Sequence, residues 1–253
     1  MNKIALITGA TSGIGEATSS MFAMKGYDLI ITGRRAERLS TLKNKLESKT
    51  THILDLCFDV RNETDVRNAF SNLPKNWRKI DVLINNAGLA AGLEPIDSGN
   101  PDDWNRMIDT NVKGLLYVSH EVIKMMTKNN KGGHIVNIGS IAGKEVYPDG
   151  NVYCATKHAV DALTKGMRMD LLKHSIKVSQ VCPGAVETEF SLVRFHNDAE
   201  RAKSVYQGFE ALVAKDIADC IWFVVSRPKH VNINDMIVMP SAQASSSIFL
   251  KTV

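Results

Sequence analysis

The chain of 253 residues is most distinctive in what it does not concentrate. Cysteine is sparse: Cys57, Cys154, Cys182 and Cys220 are scattered, and no two have the short spacing of a metal site. Reduced thiols in a reducing compartment are expected, and no bound metal. The seven histidines are also dispersed, with no His-x-x-x-His pair. No stretch approaches the roughly 20 apolar residues that cross a bilayer. The short apolar run at residues 4–7 passes straight into Thr8-Gly9, unlike a signal peptide. Charge is not blocked either. Lysine plus arginine (31) exceed aspartate plus glutamate (27) by only four, and the tightest like-charged pair is Arg34-Arg35. A soluble cytoplasmic protein that binds neither nucleic acid nor membrane is expected. With no linker, repeat or low-complexity tract, the whole chain, 1–253, reads as one domain.

What is present is a rhythm. Short apolar runs at 4–7, 29–31, 53–58, 82–84, 135–138, 178–181 and 237–239 alternate with longer amphipathic stretches. The amphipathic stretches fall at 13–25, 36–49, 63–73, 102–128, 153–174 and 216–225. Runs with little internal alternation suit parallel strands buried on both faces. Strand and helix in turn predict an α/β fold: a Rossmann-type, doubly wound parallel sheet flanked by helices. The stretch 185–213 departs from the rhythm. It is long, of mixed polarity, and follows a strand, which predicts a substrate lid.

Three features carry chemistry. Tyr153 and Lys157 are four residues apart, so on a helix they share a face. A cation near a phenol lowers its pKa toward the range of a general acid/base. Ser140 follows the apolar run 135–138, placing its hydroxyl at the carboxyl end of a strand, where open α/β sheets bind ligands. By itself the Tyr-x-x-x-Lys spacing also fits a half-buried tyrosine beside a solvated lysine. Second, the first strand leads into Gly9, Thr11, Ser12, Gly13, Ile14 and Gly15, and then a helix. Such a turn lets backbone approach a diphosphate at a helix N-terminus. Third, the second strand ends at Gly33-Arg34-Arg35, where an NAD-binding domain usually has an acidic residue. Guanidinium groups there suit a 2′-phosphate, so the cofactor expected is NADP(H).

Together these residues resemble the compact short-chain dehydrogenase/reductases over essentially the whole length. The matching elements are Thr8-Gly9-x-x-x-Gly13-x-Gly15, Asp59-Val60, Asn85-Asn86-Ala87-Gly88, Asn111, Ser140, Tyr153-x-x-x-Lys157 and Pro183-Gly184. The resemblance implies that Asp59 and Val60 lie beside the adenine, and that Asn86, Ala87 and Gly88 flank its ribose. Pro183, Gly184, Val186 and Thr188 would border the nicotinamide. Tyr153 would protonate the substrate oxygen, Ser140 would hold it, and Lys157 would bind the nicotinamide ribose and lower the tyrosine pKa. Asn111 would position a water beside Lys157.

Longer local matches resemble the NADP-dependent 3-hydroxy acid dehydrogenases. Among them are Asn85 to Pro95, Asp103-Trp104-x-x-Met107, and Thr188-Glu189-Phe190-Ser191-x-Val193-Arg194-Phe195. They imply a small hydroxy acid such as serine, L-allo-threonine, 3-hydroxyisobutyrate or 3-hydroxypropionate, or the matching semialdehyde or ketoacid. A carboxylate substrate needs a cation. Arg194 is the first candidate, with Lys144 and His196 behind it, and a salt bridge within the lid is the competing reading of Arg194. The alternatives are a 3-ketoacyl-(carrier protein) reductase or broad carbonyl reductase, and a non-catalytic NADP-binding regulator. On the Asn111 helix Ile108, Val112, Leu115, Val122 and Met126 make one apolar stripe and Met107, Val118 and Met125 lie beside it, more than covering a sheet requires, which suggests a subunit interface. The resemblance implies a homotetramer with the Asn111 and Tyr153 helices packed against a neighbour. The tail, Ser245-Ser246-Ser247 then Ile248-Phe249-Leu250, reads equally as docking on a neighbour or as a frayed end.

Overall fold

A computed structural model describes residues 2–252. In chain order the elements begin β1 (Ile4–Ile7), α1 (Gly13–Met24), β2 (Asp28–Gly33), α2 (Ala36–Leu46), β3 (Ile53–Cys57), α3 (Glu63–Ser71) and β4 (Ile80–Asn85). There follow α4 (Pro101–Ile108), α5 (Leu115–Asn129), β5 (Gly133–Ile138), α6 (Asn151–Asp170) and β6 (Ile176–Pro183). The chain continues through β7 (Val186–Glu187), α7 (Phe190–Arg194), α8 (Ala199–Ser204) and β8 (Leu212–Val213), to α9 (Ala214–Val225) and β9 (Asp235–Val238). Every apolar run read from the sequence overlaps a strand of the main sheet.

That sheet has seven parallel strands in the order β3-β2-β1-β4-β5-β6-β9. Strand residues alternate between two cores, as the pleat requires. Ile7, Ile31 and Ile84 face the layer of α1, α2 and α9, where they meet Phe22, Leu39 and Ile221. Leu6, Ile30 and Leu83 face the opposite layer, with Phe70 of α3 and Val118, Val122 and Met126 of α5. A buried polar chain crosses the second layer. The Asn85 amide donates to Ser119 Oγ and Asn137 Oδ1, both at 2.8 Å, and Asn137 Nδ2 donates to Thr164 Oγ1 at 2.9 Å.

Helix starts follow local chemistry. Asn62 Oδ1 accepts from the amides of Thr64 and Asp65, which caps α3. Asn100 does the same for Asp102, with Pro101 at the first helical position of α4.

The helix expected at 102–128 is interrupted. Asp109–Gly114 form a π-helical turn between α4 and α5. The cause is tertiary. Asn111 Oδ1 accepts from the Leu89 amide at 2.8 Å, and Asn111 Nδ2 donates to the Leu89 carbonyl at 2.8 Å and to Thr156 Oγ1 at 3.0 Å. The extra residue in the turn holds that side chain inward, a use such turns often serve.

The apolar residues of the Asn111 helix and the tail take definite places. Leu115, Val122 and Met126 are buried within the chain, so the apolar residues left exposed on α4 and α5 are Ile108 and Leu116. The tail lies along its own chain. Gln243 Oε1 accepts from the Ala185 amide at 2.8 Å, the Ser246 amide donates to Glu145 at 2.7 Å, and Phe249 stacks on Phe209 at 5.0 Å. The spacer is long enough to turn back, which an isolated apolar tip does not reveal.

Candidate active site

The strand order reverses between β1 and β4, and a cavity of about 480 Å³ opens at the carboxyl ends of the sheet there. This is the switch point at which such sheets bind ligands. Arg194 lines it, and so do the catalytic and cofactor residues expected from the sequence, except Gly15 and Asn111. Those two stand just behind the wall. A Cβ on Gly15 would lie 2.2 Å from the Gly9 carbonyl oxygen, so only glycine lets the helix start pack against the turn. Gly9 itself adopts φ +65°, a left-handed conformation that favours glycine. A cradle closed by glycines at the start of a 12-residue helix fits a diphosphate.

Thr8 and Asn86 join the two strand ends. Asn86 Nδ2 donates to the carbonyls of Thr8 and Gly9 at 2.9 and 3.1 Å. Its amide side chain is therefore committed to the turn, and this segment presents mainly backbone to the cavity. Asp59 is gripped by Arg61, with contacts of 2.9 and 2.6 Å, and lies 3.8 Å from Arg34. Burial opposes its ionisation, but the arginines prevail and hold its pKa below the usual value. Arg35 folds back onto the glycine-rich turn, and its Nη2 donates to Thr11 Oγ1 and Ser12 Oγ, both at 2.9 Å.

At the other end of the cavity, Ser140 lies two residues past the end of β5, and Tyr153 and Lys157 project from one face of α6. All three are buried. Ser140 Oγ accepts from the Ala142 amide at 3.1 Å and donates to the Pro183 carbonyl at 3.5 Å. Lys157 Nζ donates to the Ile138 carbonyl at 3.0 Å and lies 5.9 Å from the Tyr153 ring centre. Burial lowers the Lys157 pKa to about 8. For Tyr153 the expected depression is outweighed. Burial, reinforced by the Tyr147 phenol, pushes its pKa up, and Ser140 and Arg194 only partly offset this. Tyr153 is thus held as a protonated phenol.

Arg194 sits at the end of α7 with its guanidinium 5.4 Å from the Tyr153 ring centre. Its Nη2 donates to the Tyr147 hydroxyl at 2.5 Å. No salt bridge engages it among the described residues, so the lid ion pair considered from sequence does not form. The two weaker candidates are committed elsewhere. Lys144 pairs with Asp161 and Asp235, and His196 lies 3.0 Å from Asp103. Phe190 packs edge-on to Tyr153 at 5.7 Å and walls the site, whereas Phe195 is buried beneath Arg201.

Sequence reasoning missed Tyr147, Glu189 and Gln243, which also line the cavity. Tyr147 lies in a turn with no periodic signal. Gln243 reaches the site only because the tail folds back. Among the described residues no cluster of three or more His, Cys, Asp or Glu could hold a metal, and no helix is long and apolar enough to cross a membrane.

The short chain dehydrogenase family pattern matches residues 3–198. The chain is 44% identical over 246 residues to the NADP-dependent 3-hydroxy acid dehydrogenase of Escherichia coli K12, covering 97% of this chain and 98% of that protein. It is 42% identical to sulfoacetaldehyde reductase 2 of Chromohalobacter salexigens, over 98% of both chains. The closed form of a serine dehydrogenase complexed with NADP+ superposes with a TM-score of 0.91 at 43% identity, covering 99% of this chain and all of that one.

Proposed function

This chain belongs to the short chain dehydrogenase family, and on that premise we propose that it interconverts a small 3-hydroxy acid and its carbonyl form. It is an NADP-dependent oxidoreductase acting on CH–OH groups. The observation that carries the substrate class is Arg194. Its guanidinium lies over the Tyr153 ring, within the cavity and without a carboxylate partner among the described residues. A planar guanidinium matches a carboxylate. A cation beside the acid/base group selects an anion on a carbon near the reacting one.

The roles follow from placement. Tyr153 gives its proton to the substrate oxygen in reduction and recovers it in oxidation. Ser140, fixed by the Ala142 amide and the Pro183 carbonyl, offers a second hydroxyl to the same oxygen. Lys157 supplies a buried cation beside the tyrosine, and Asn111 fixes the Leu89 loop next to it. NADP(H), when bound, supplies or accepts the hydride. The glycine-rich turn, Arg34 and Arg35 hold its phosphates, Asp59 and Val60 border its adenine, and the backbone of 86–88 its ribose. Pro183, Gly184, Val186 and Thr188 border the nicotinamide. Residues 185–213 form the lid of a single-domain enzyme. Its free thiols suit a reducing compartment, and we place it in the cytoplasm. Exposed Ile108 and Leu116 support assembly of a tetramer through α4 and α5.

A sulfonate is the second reading of the anionic group, supported by the sulfoacetaldehyde reductase relative. Steady-state kinetics with NADP+ test both. The enzyme should turn over serine, L-allo-threonine, 3-hydroxyisobutyrate or 3-hydroxypropionate more efficiently than 2-hydroxyethanesulfonate. A preference for the sulfonate moves the assignment to the second reading. Turnover of uncharged alcohols alone rejects both.

A further inference from the structure

Glu189 stands one residue before α7, the lid helix that carries Arg194. Its carboxylate accepts from Arg35 Nη1 at 3.0 Å and from Arg38 Nη1 at 2.6 Å. Arg35 and Arg38 lie 154 and 151 residues earlier in the chain. On its other edge the Arg35 guanidinium touches Thr11 and Ser12 in the glycine-rich turn. One side chain therefore bridges the phosphate cradle and the lid. Arg35, Ser12 and Glu189 line the cavity, whereas Arg38 does not. Arg38 reaches the site only through Glu189.

We infer that Glu189 competes with the 2′-phosphate of NADP(H) for Arg35 and so sets how strongly the enzyme prefers the phosphorylated cofactor. The charges support it. Arg35, Arg38 and Glu189 together carry +1. With Arg34 the group carries +2, and a phosphate monoester adds about −1.5 to −2 near neutrality, so the site is close to neutral while the carboxylate stays and positive once it withdraws. Two anions on one guanidinium repel each other. Glu189 and Arg35 are both about two-fifths exposed, so water can take up the released carboxylate. An exposed ion pair is weak, which makes the exchange reversible and its effect modest. Arg38 acts in the opposite sense, because it draws part of the Glu189 charge away from Arg35. When Glu189 lets go of Arg35, the start of α7 keeps its pair with Arg38 of α2.

This rests on assigning Arg34 and Arg35 to the 2′-phosphate, and not on which hydroxy acid is the substrate. The test is equilibrium binding of NADPH and NADH to the full chain without substrate, followed by the fluorescence of the reduced nicotinamide. Glu189→Gln keeps the shape of the side chain and removes its charge. It should tighten NADPH by about two- to fivefold, the range an exposed pair supports, and leave NADH unchanged. Arg38→Ala should weaken NADPH, and adding Glu189→Gln to it should restore parental affinity or better. Weaker or parental NADPH binding in Glu189→Gln, an equal shift for both cofactors, or failure of the double variant to recover overturns the inference. Arg35→Ala separates this from the assignment beneath it. If that variant does not weaken NADPH selectively, the 2′-phosphate assignment fails and takes the inference with it.

Discussion

Gly92 and Arg194, 102 residues apart, hold each other by two bonds in opposite directions. The Gly92 amide donates to the Arg194 carbonyl at 2.9 Å, and Arg194 Nε donates to the Gly92 carbonyl at 3.4 Å. The loop after β4 is thereby tied to the lid helix, and the guanidinium is aimed by its own Nε. Its Nη2 meets the Tyr147 hydroxyl, and the residue lines the cavity. Backbone holds the lid here, so the side chain can be removed with the Gly92 amide bond kept.

Arg194→Ala should therefore act on substrate recognition more than on folding. A hydrogen bond to a charged group is worth about 1.5–3 kcal/mol, which corresponds to roughly a ten- to hundredfold loss in kcat/KM for a 3-hydroxy acid. An uncharged secondary alcohol should lose little. Arg194→Lys should recover little of the acid activity, because a lysine cannot both bond Gly92 and present a fork. Equal losses on acid and alcohol would remove the carboxylate clamp.

Tyr153→Phe removes the proposed proton donor while keeping the ring that packs on Phe190. Turnover should fall by about 10²–10⁴, the range of general acid/base catalysis. NADPH binding, measured by fluorescence titration, should stay within a few-fold of the parent. Substantial turnover in the variant would shift the proton to another donor.

Asn111→Ala should cost stability as well as activity. The Asn111 side chain satisfies both the amide and the carbonyl of Leu89 in a buried setting. Leaving a buried polar group unpaired costs about 1–3 kcal/mol. A lowered urea midpoint with an unchanged slope is expected. Asn111→Asp keeps the acceptor for the Leu89 amide but loses the donor, so it should fall between parent and alanine.

The sheet was legible because parallel strands buried on both faces read as apolar runs, and each run from 4–7 to 237–239 overlaps a strand. The glycine-rich turn, Arg34-Arg35, Ser140 and the Tyr153–Lys157 pair were legible because each depends on local spacing. What was hidden depends on partners far away in sequence. Residues 109–114 carry an ordinary helical pattern, and only Leu89 explains why they form a π turn. Lys144 looked free until Asp161 and Asp235 were brought to it. Spacing reveals a lysine near the tyrosine but not the depth of burial, which pushes the phenol's pKa up. Glu189 fell within a local family match but gave no sign of a site role, since that comes from Arg35 and Arg38.

His134, buried on β5 away from the active site, should make stability fall in mild acid. Burial, aided by Lys177, lowers its pKa from 6.5 to about 3. Its Nε2 lies 2.8 Å from Ser179 Oγ, and its Nδ1 has no partner among the described residues. The folded chain therefore keeps His134 neutral at pH values where the unfolded chain protonates it. The unfolded state then binds more protons, so stability rises with pH across the window between the two pKa values and is lost as pH falls below about 6.5. The slope from this one group approaches 1.4 kcal/mol per pH unit. Carboxylates also titrate near the bottom of that window, so the measurement is a difference between variant and parent from pH 7 to pH 5. His134→Asn cannot take up a proton in either state. Its stability, from urea unfolding at each pH, should fall less steeply than the parent's, even though the substitution lowers stability at pH 7. Parallel curves for the two proteins would mean that His134 titrates alike in the folded and unfolded chains.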